Sequence, residues 1–152
     1  MLIRTATLTD VGDWVGLRVE LWPDTSPESH RDEAVALLAK PAGEGVAFLA
    51  VDPERGVRAF AEAALRRDHV NGCGTSPVAF LEGIYVRHED RGSGLGRDLT
   101  LAVEAWARDR GCAELASDAL LENVGSRDFH EAVGFETTER VVFFRKRLDA
   151  RA

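Results

Sequence analysis

Residues 91–96 read Arg-Gly-Ser-Gly-Leu-Gly and follow an apolar run at 78–86. The apolar run predicts a strand buried on both faces, and the glycines open an amphipathic segment that predicts a helix to about residue 110. A glycine-rich turn at the start of a helix presents backbone N–H groups and the positive end of the helix dipole, which together bind phosphate. Four basic residues are grouped here in a chain of net charge −7: Arg87, His88, Arg91 and Arg97. The stretch therefore predicts a pyrophosphate site.

The glycine spacing distinguishes between nucleotide-binding motifs. A P-loop requires a lysine directly after its last glycine, and this segment has none. A Rossmann fingerprint places two residues between its second and third glycines, whereas here there is one. The pattern that fits is Arg/Gln-x-x-Gly-x-Gly/Ala, filled by Arg91, Gly94 and Gly96. A tight turn before a helix, without a ligand, is the structural alternative.

Glu82 is the second chemical feature, because it interrupts an otherwise apolar strand. A buried carboxylate is costly unless a cation pairs with it. That cation belongs either to a ligand or to an arginine of the chain.

Composition predicts one globular domain, residues 1–152, because a chain of this length builds one substantial core. Hydrophobic residues make up 45% and charged residues 30%, as in an ordinary soluble protein. The net charge of −7 opposes nucleic-acid binding and favours cationic partners. The longest apolar run, 46–51, is too short to span a bilayer, so no membrane partner is expected.

The N-terminus lacks a signal-peptide pattern, which predicts a cytoplasmic location. Cys73 and Cys112 are far apart in sequence and indicate neither a disulfide framework nor a zinc site.

The hydrophobic periodicity predicts a mixed α+β order of strand, two helices, three strands, helix, strand, helix and two strands. Ser26 and Asn123 are predicted helix caps, and Gly56 closes a hairpin turn. The predicted strands lie at 2–6, 46–52, 57–65, 78–86, 113–118 and, in two extended halves, 135–148; the helices lie at about 10–22, 28–40, 92–110 and 123–132.

Residues 91–96 resemble the acetyl-coenzyme A pyrophosphate motif of the GNAT acetyltransferase superfamily. The strand before the motif, the later short strand with Asn123, and Gly134-Phe135 at the end of the next helix agree with that superfamily. Further short segments resemble the type I aminoglycoside 6'-N-acetyltransferases, at 17–23, 68–73, 76–78, 80–86, 116–118 and 134–141. Together they cover nearly the whole chain from Leu17 to Lys146.

The resemblance implies an α+β (mixed α/β) GNAT fold. Its central, mostly antiparallel twisted sheet has a bulged strand 4 splayed from strand 5 and is flanked by four helices. It also implies acetyl-CoA as co-substrate, a polycationic aminoglycoside as acceptor, no metal, and a homodimer.

Cofactor residues follow from the same resemblance. The backbone of the strand after a bulge near Gly83 would contact the pantetheine arm, and the glycine turn would bind the pyrophosphate. Asn123 would contact the pantetheine or adenylate end. The residues so assigned are Ile84, Tyr85, Val86, Arg91, Gly92, Ser93, Gly94, Leu95, Gly96 and Asn123.

The acceptor residues implied by the resemblance are Trp22, His69, Glu82, Asp118 and Glu139. Carboxylates suit the amines of a polycation, and an aromatic face suits a sugar. Two positions depart from relatives. His69 stands where a substrate-contacting tyrosine is found, and His130 stands where the superfamily often has a tyrosine that protonates the leaving thiolate. His130 is either that acid or a satisfied helix histidine.

The expected mechanism is direct attack of the 6'-amine on the thioester in a ternary complex. Glu82 is the candidate base, and backbone N–H groups after Gly83 would polarise the thioester carbonyl. Two other hypotheses remain: the same chemistry on a polyamine, peptide or protein amine, and a non-catalytic module that binds CoA or a drug.

Overall fold

The computed structural model describes residues 1–149. Its elements in chain order are β1 Leu2–Thr5, α1 Val11–Leu21, α2 Pro27–Ala39, β2 Gly45–Asp52, β3 Gly56–Arg66, β4 Val78–Val86, α3 Leu95–Asp109, β5 Leu115–Ala116 and α4 Val124–Ala132. Single 3-10 turns at Leu8–Asp10 and His88–Asp90 lead into α1 and towards α3. The chain divides into two compact units, Met1–Asp118 and the part that begins at Ala119.

The first unit is built on a five-stranded sheet of order β1-β2-β3-β4-β5. Its strands pair antiparallel except for the parallel pair of β4 and β5. Phe60 and Ala64 of β3 pack into the cluster formed with α1 and α2. Since alternate strand residues point to opposite faces, Ala61 and Ala63 face the other side, which α3 covers. The predicted mixed α+β architecture is confirmed.

The predicted helix caps are confirmed at two positions. Ser26 Oγ accepts a hydrogen bond from the N–H of Ser29, and Pro27 occupies the first helical turn. Asn123 Oδ1 accepts from the N–H of Ser126 at the start of α4. Helix α3 begins at Leu95, three residues later than expected, because Gly92 and Gly94 have positive φ angles of 80° and 89°.

The prediction of two strands at 135–148 is wrong for the described chain, where residues 135–149 form neither helix nor strand. The apolar composition of Val141–Phe144 favours a strand, but a strand also needs a partner ladder for its backbone groups. These side chains are instead exposed, Phe144 by 93%. The strand expected at 113–118 is likewise reduced to Leu115–Ala116, its paired portion.

Within the described residues, the helices are all too short or too polar to cross a membrane.

Asp10 fixes the junction between β1 and α1. Its carboxylate accepts two hydrogen bonds of 2.8 Å from the guanidinium of Arg4 and one of 2.8 Å from the N–H of Thr7. Asp10 is buried, and the paired Arg4 guanidinium holds the pKa of its carboxyl well below the usual range. Since a lowered pKa favours the folded state above the unfolded pKa of about 4, this stabilisation is lost as the pH falls through the folded value.

We predict that Asp10→Asn lowers the free energy of unfolding by about 2 kcal/mol at pH 7, because it removes a charged hydrogen-bond acceptor. The deficit shrinks as the pH falls below about 4, where the unfolded wild-type carboxyl takes up a proton. Urea unfolding at pH 7 and pH 3 measures both effects. Asp13→Asn is the matched control, since Asp13 is exposed in the first turn of the same helix. Equal stability of the two variants at pH 7 would contradict this role.

Candidate active site

The glycine turn between β4 and α3 has the geometry of an anion site. Gly92 and Gly94 lie in the left-handed region, with φ angles of 80° and 89°, which side-chain-bearing residues adopt at a cost. Gly94 is the N-cap of α3 and contributes no side-chain cap, so the first N–H groups of the helix are not claimed by one. The buried Leu95 anchors the start of the helix. The predicted glycine turn at the start of a helix is therefore confirmed, and phosphate binding by it stays a prediction.

Two arginines, Arg55 and Arg58, form ion pairs with the acidic residues that directly precede the glycine turn. Arg58 Nε donates to Asp90 Oδ2 over 2.7 Å, and its Nη2 donates to Glu89 Oε2 over 2.7 Å. Arg55 Nη2 lies 3.1 Å from Asp90 Oδ1. The hydrogen bond from Arg58 is the main cause of a lowered pKa at Asp90. These ion pairs tie the residues directly before the glycine turn to the sheet.

Arg91 folds back onto β4. Its Nε donates to the carbonyl of Val86 over 3.0 Å, and its guanidinium carbon lies 5.3 Å from the centre of the Tyr85 ring. The side chain therefore secures the end of the strand while the backbone of the turn faces solvent.

A β-bulge lies at Glu82. Gly83 of β4 pairs with Glu62 of β3, and Leu81 pairs with Ala63, so Glu82 is one extra residue in β4. The bulge predicted near Gly83 is confirmed.

Beyond the bulge, β4 separates from β5. The two strands pair only at Ala79 and Phe80, and Ser117 Oγ donates to the carbonyl of Leu81 over 3.2 Å. Ile84–Val86 continue to pair with β3 on their other side. Because antiparallel ladder bonds alternate along a strand, part of this backbone points away from β3. The open edge suits an extended ligand with amide groups.

A cavity of about 690 Å³ lies on the α1–α2 side of β3 and β4. Trp22 and Glu82, both predicted acceptor residues, line it together. Three carboxylates and three cations are among its lining groups: Glu33, Glu62, Glu82, Arg18, Lys40 and Arg66. A cationic ligand in this cavity would have to compete for the carboxylates with the cations of the chain.

Trp22 is held over Gly83. A Cβ atom added to Gly83 would lie 2.4 Å from Cη2 and 2.6 Å from Cζ2 of the indole, so only glycine leaves room for this ring. The His30 ring stacks on the indole, with centroids 6.1 Å apart and planes inclined by 20°. The guanidinium carbon of Arg18 lies 4.9 Å from the ring centre.

The hydrogen bonds of His30 define its tautomer. Arg18 Nε donates to His30 Nδ1 over 3.2 Å, and an arginine has no acceptor, so Nδ1 carries no proton. Nε2 therefore carries the proton and donates to the carbonyl of Trp22 over 2.9 Å. A neutral His30, only 1% exposed, links Arg18 to the end of α1.

Arg18 is itself held by two carboxylates. Its Nη1 contacts both oxygens of Glu62, and its Nη2 contacts Glu33. Burial raises the pKa of the Glu62 carboxyl to about 7, although Arg18 acts in the opposite direction.

Sequence reasoning missed this buried network. One signal was available, because Glu62 interrupts the apolar strand β3 as Glu82 interrupts β4.

Glu82 forms an ion pair with an arginine, the alternative left open by the sequence. Arg66 Nη2 lies 3.1 Å from each carboxylate oxygen of Glu82. Both side chains reach solvent, with exposed fractions of 44% for Arg66 and 37% for Glu82. An exposed pair of this kind is weak, so the carboxylate remains available to a stronger cation.

The other acceptor residues predicted in the first unit, Asp118 and His69, lie on its surface. Asp118 is exposed and follows Ser117, whose hydroxyl contacts β4 one residue before Glu82. His69 is exposed in the loop after β3.

In the second unit, Glu139 is exposed. His130 Nδ1 donates to the carbonyl of Ser126 over 2.6 Å in α4. Nδ1 therefore carries a proton, and Nε2 can act as an acid only if it carries a second one.

The described residues contain no group of three or more side chains suited to a metal ion. Cys73 and Cys112 are free, and burial raises the pKa of both thiols, which disfavours the thiolate form. Neither is prepared as a nucleophile.

The bulged strand, the glycine turn and the open edge of β4 together form a site suited to an extended ligand that carries an anionic group. The model of the acetyltransferase (GNAT) family matches residues 13–135, and the chain belongs to this family.

Two relatives confirm the predicted resemblance to the type I aminoglycoside 6'-N-acetyltransferases. The aminoglycoside N(6')-acetyltransferase type 1 of Serratia marcescens is 50% identical over 135 residues, which are 89% of this chain and 91% of the relative. The enzyme of the same name from Stenotrophomonas maltophilia is 49% identical over 150 residues, 99% of this chain and 95% of the relative.

A solved structure of AAC(6')-Iy in complex with the bisubstrate analog CoA-S-monomethyl-acetylneamine superposes with a TM-score of 0.89. It is 41% identical, and the match covers 96% of this chain and 97% of that one.

We predict that Gly83→Ala displaces Trp22, because the added methyl group overlaps the indole. Overpacking of this kind costs about 1–3 kcal/mol of stability. The indole N–H resonance of Trp22, assigned by its loss in Trp22→Phe, shifts in Gly83→Ala. Gly16→Ala is the control, since a methyl group there meets nothing within 4 Å. An unshifted resonance with wild-type stability would show that the indole does not rest on Gly83.

Proposed function

We propose that the protein transfers the acetyl group of acetyl-CoA to the 6'-amine of aminoglycosides. The observation that carries this proposal is the arrangement around β4. Its end leads into an anion-binding turn, while its bulge brings Glu82 into a cavity beside Trp22. Such a strand can bind an anionic co-substrate and a polycationic acceptor at neighbouring positions.

The described residues fit acetyl-CoA, which supplies the acetyl thioester. N–H groups of 92–96 would bind its pyrophosphate, and the open edge formed by Ile84, Tyr85 and Val86 would bind the amides of its pantetheine arm. Arg91 would act by securing the strand end, as its bond to Val86 indicates. Asn123 remains a proposed contact to the same ligand.

On the acceptor side, Glu82 would bind the substrate ammonium and accept its proton, directly or through water. Backbone N–H groups after Gly83 would stabilise the charge that develops on the acetyl oxygen. Transfer is direct, which agrees with two thiols of raised pKa. Trp22, His69, Asp118 and Glu139 complete the proposed acceptor contacts, and His130 is the proposed acid for the leaving thiolate.

We further propose that residues 1–152 act as one GNAT domain in the cytoplasm. The family match runs from 13 to 135 and so includes parts of both compact units. The free thiols agree with a reducing compartment.

A homodimer is proposed as well. Three neighbouring apolar side chains are strongly exposed, Val142 by 75%, Phe143 by 88% and Phe144 by 93%, and a second copy of the chain would cover them. Light scattering on the purified protein would give twice the chain mass of 16.6 kDa. The single mass would refute the dimer.

We predict that the wild type acetylates kanamycin and tobramycin, measured as release of free CoA thiol. Glu82→Gln should lower kcat/KM by about 100-fold or more, because it removes the general base and the counter-ion of the ammonium. Calorimetry should find CoA binding unchanged in this variant. Glu104→Gln is the matched control, since Glu104 lies on α3 in an i,i+4 pair with Arg108. Absence of turnover on every 6'-amino aminoglycoside would contradict the proposed function, and full activity of Glu82→Gln would contradict the role of Glu82.

A further inference from the structure

Arg66 occupies the carboxylate to which the acceptor amine is assigned. A single nitrogen of its guanidinium, Nη2, lies 3.1 Å from both oxygens of Glu82. This is the position that a substrate ammonium needs if Glu82 is its counter-ion. Arg66 and the substrate therefore compete for the same two oxygens.

The geometry of Arg66 allows it to leave. Its side chain is 44% exposed and extends from the last residue of β3, where no further ladder pair follows. Its guanidinium carbon lies 3.6 Å from the centre of the Phe80 ring, so a platform for the cation exists beside the carboxylate. The guanidinium can therefore turn Nη2 away from Glu82 while it stays stacked on Phe80.

Arg18 of the same cavity contrasts with Arg66. It is 4% exposed and contacts both Glu62 and Glu33, so its release would leave buried charge unpaired. Of these two ion-paired arginines, Arg66 is the one that substrate can displace at low cost.

We propose that Arg66 is an internal competitor of the substrate: it holds Glu82 in the free enzyme and releases it when an aminoglycoside ammonium binds. The inference rests on the proposed function, because it takes Glu82 as the ammonium site. Arg66 is not a catalytic residue. It lowers the fraction of enzyme whose Glu82 is free, and the apparent Kd of each substrate that uses Glu82 equals the intrinsic Kd divided by this fraction.

The inference predicts that removing Arg66 lowers the KM of every substrate that uses Glu82 by the same factor. An exposed ion pair of ordinary strength leaves Glu82 free in a minority of molecules, so removing Arg66 should lower KM about two- to sixfold for kanamycin and tobramycin alike. The kcat should change by less than about twofold, because the occupied state is the same. A structural role for Arg66 would instead raise KM or lower kcat.

The test compares Arg66→Met with Arg67→Met in the full chain. Methionine keeps a long apolar side chain beside Phe80 and removes the charge. Arg67 is the matched control, because it pairs with Glu44 and its loss changes the net charge equally. Steady-state kinetics give KM and kcat for both drugs, and calorimetry with CoA present gives the Kd. We expect the lower KM and Kd in Arg66→Met and a smaller change in Arg67→Met.

Two outcomes would overturn the inference: an unchanged or raised KM in Arg66→Met, or an equal decrease in both variants, which would indicate overall charge. Thermal melting checks that Arg66→Met is folded. If it is not, Arg66→Gln is measured in the same way. The wild type separates the two hypotheses. Wild-type turnover without the Arg66 effect contradicts only the inference, whereas no wild-type turnover contradicts the proposed function and the inference with it.

Discussion

The site depends on one extra residue in β4. The bulge at Glu82 interrupts the register with β3 between Leu81 and Gly83. Because one inserted residue changes which face the following side chains occupy, it separates a buried apolar half of the strand from a half that carries Glu82, Gly83 and an open backbone edge. The pairing with β5 ends before this point. A regular strand would direct neither the carboxylate nor the free backbone groups to a ligand.

The surface on which the acceptor would lie is fixed by a buried polar network. Glu62 and Glu33 hold Arg18, Arg18 donates to His30, and His30 donates to the carbonyl of Trp22. Such a network is costly to bury, and an apolar replacement would be at least as stable. Its value lies in orientation, since it sets one position for the indole above Gly83. The exposed pair of Arg66 and Glu82 belongs to the same cavity but has none of this rigidity.

Local patterns were enough to predict the elements that carry the site. The glycine turn, the Ser26 and Asn123 caps and the hairpin each have a signal within a few residues, and the structure confirms them. The bulge in β4, also confirmed, was expected only from the resemblance to the GNAT superfamily. The sequence could not reveal the partners of Glu82 or Arg18, because those contacts join residues up to 44 positions apart. The prediction of strands at 135–148 is wrong for a related reason, because apolar composition does not supply a pairing partner.

The central claim is that an anionic co-substrate and a cationic acceptor meet across β4. A crystal structure of the protein with CoA and kanamycin tests it most directly. The account predicts the pyrophosphate on the N–H groups of 92–96, the 6'-amine within hydrogen-bond distance of Glu82, and Arg66 Nη2 turned away from that carboxylate. A drug bound elsewhere, or a drug bound beside an intact pair of Arg66 and Glu82, would contradict it.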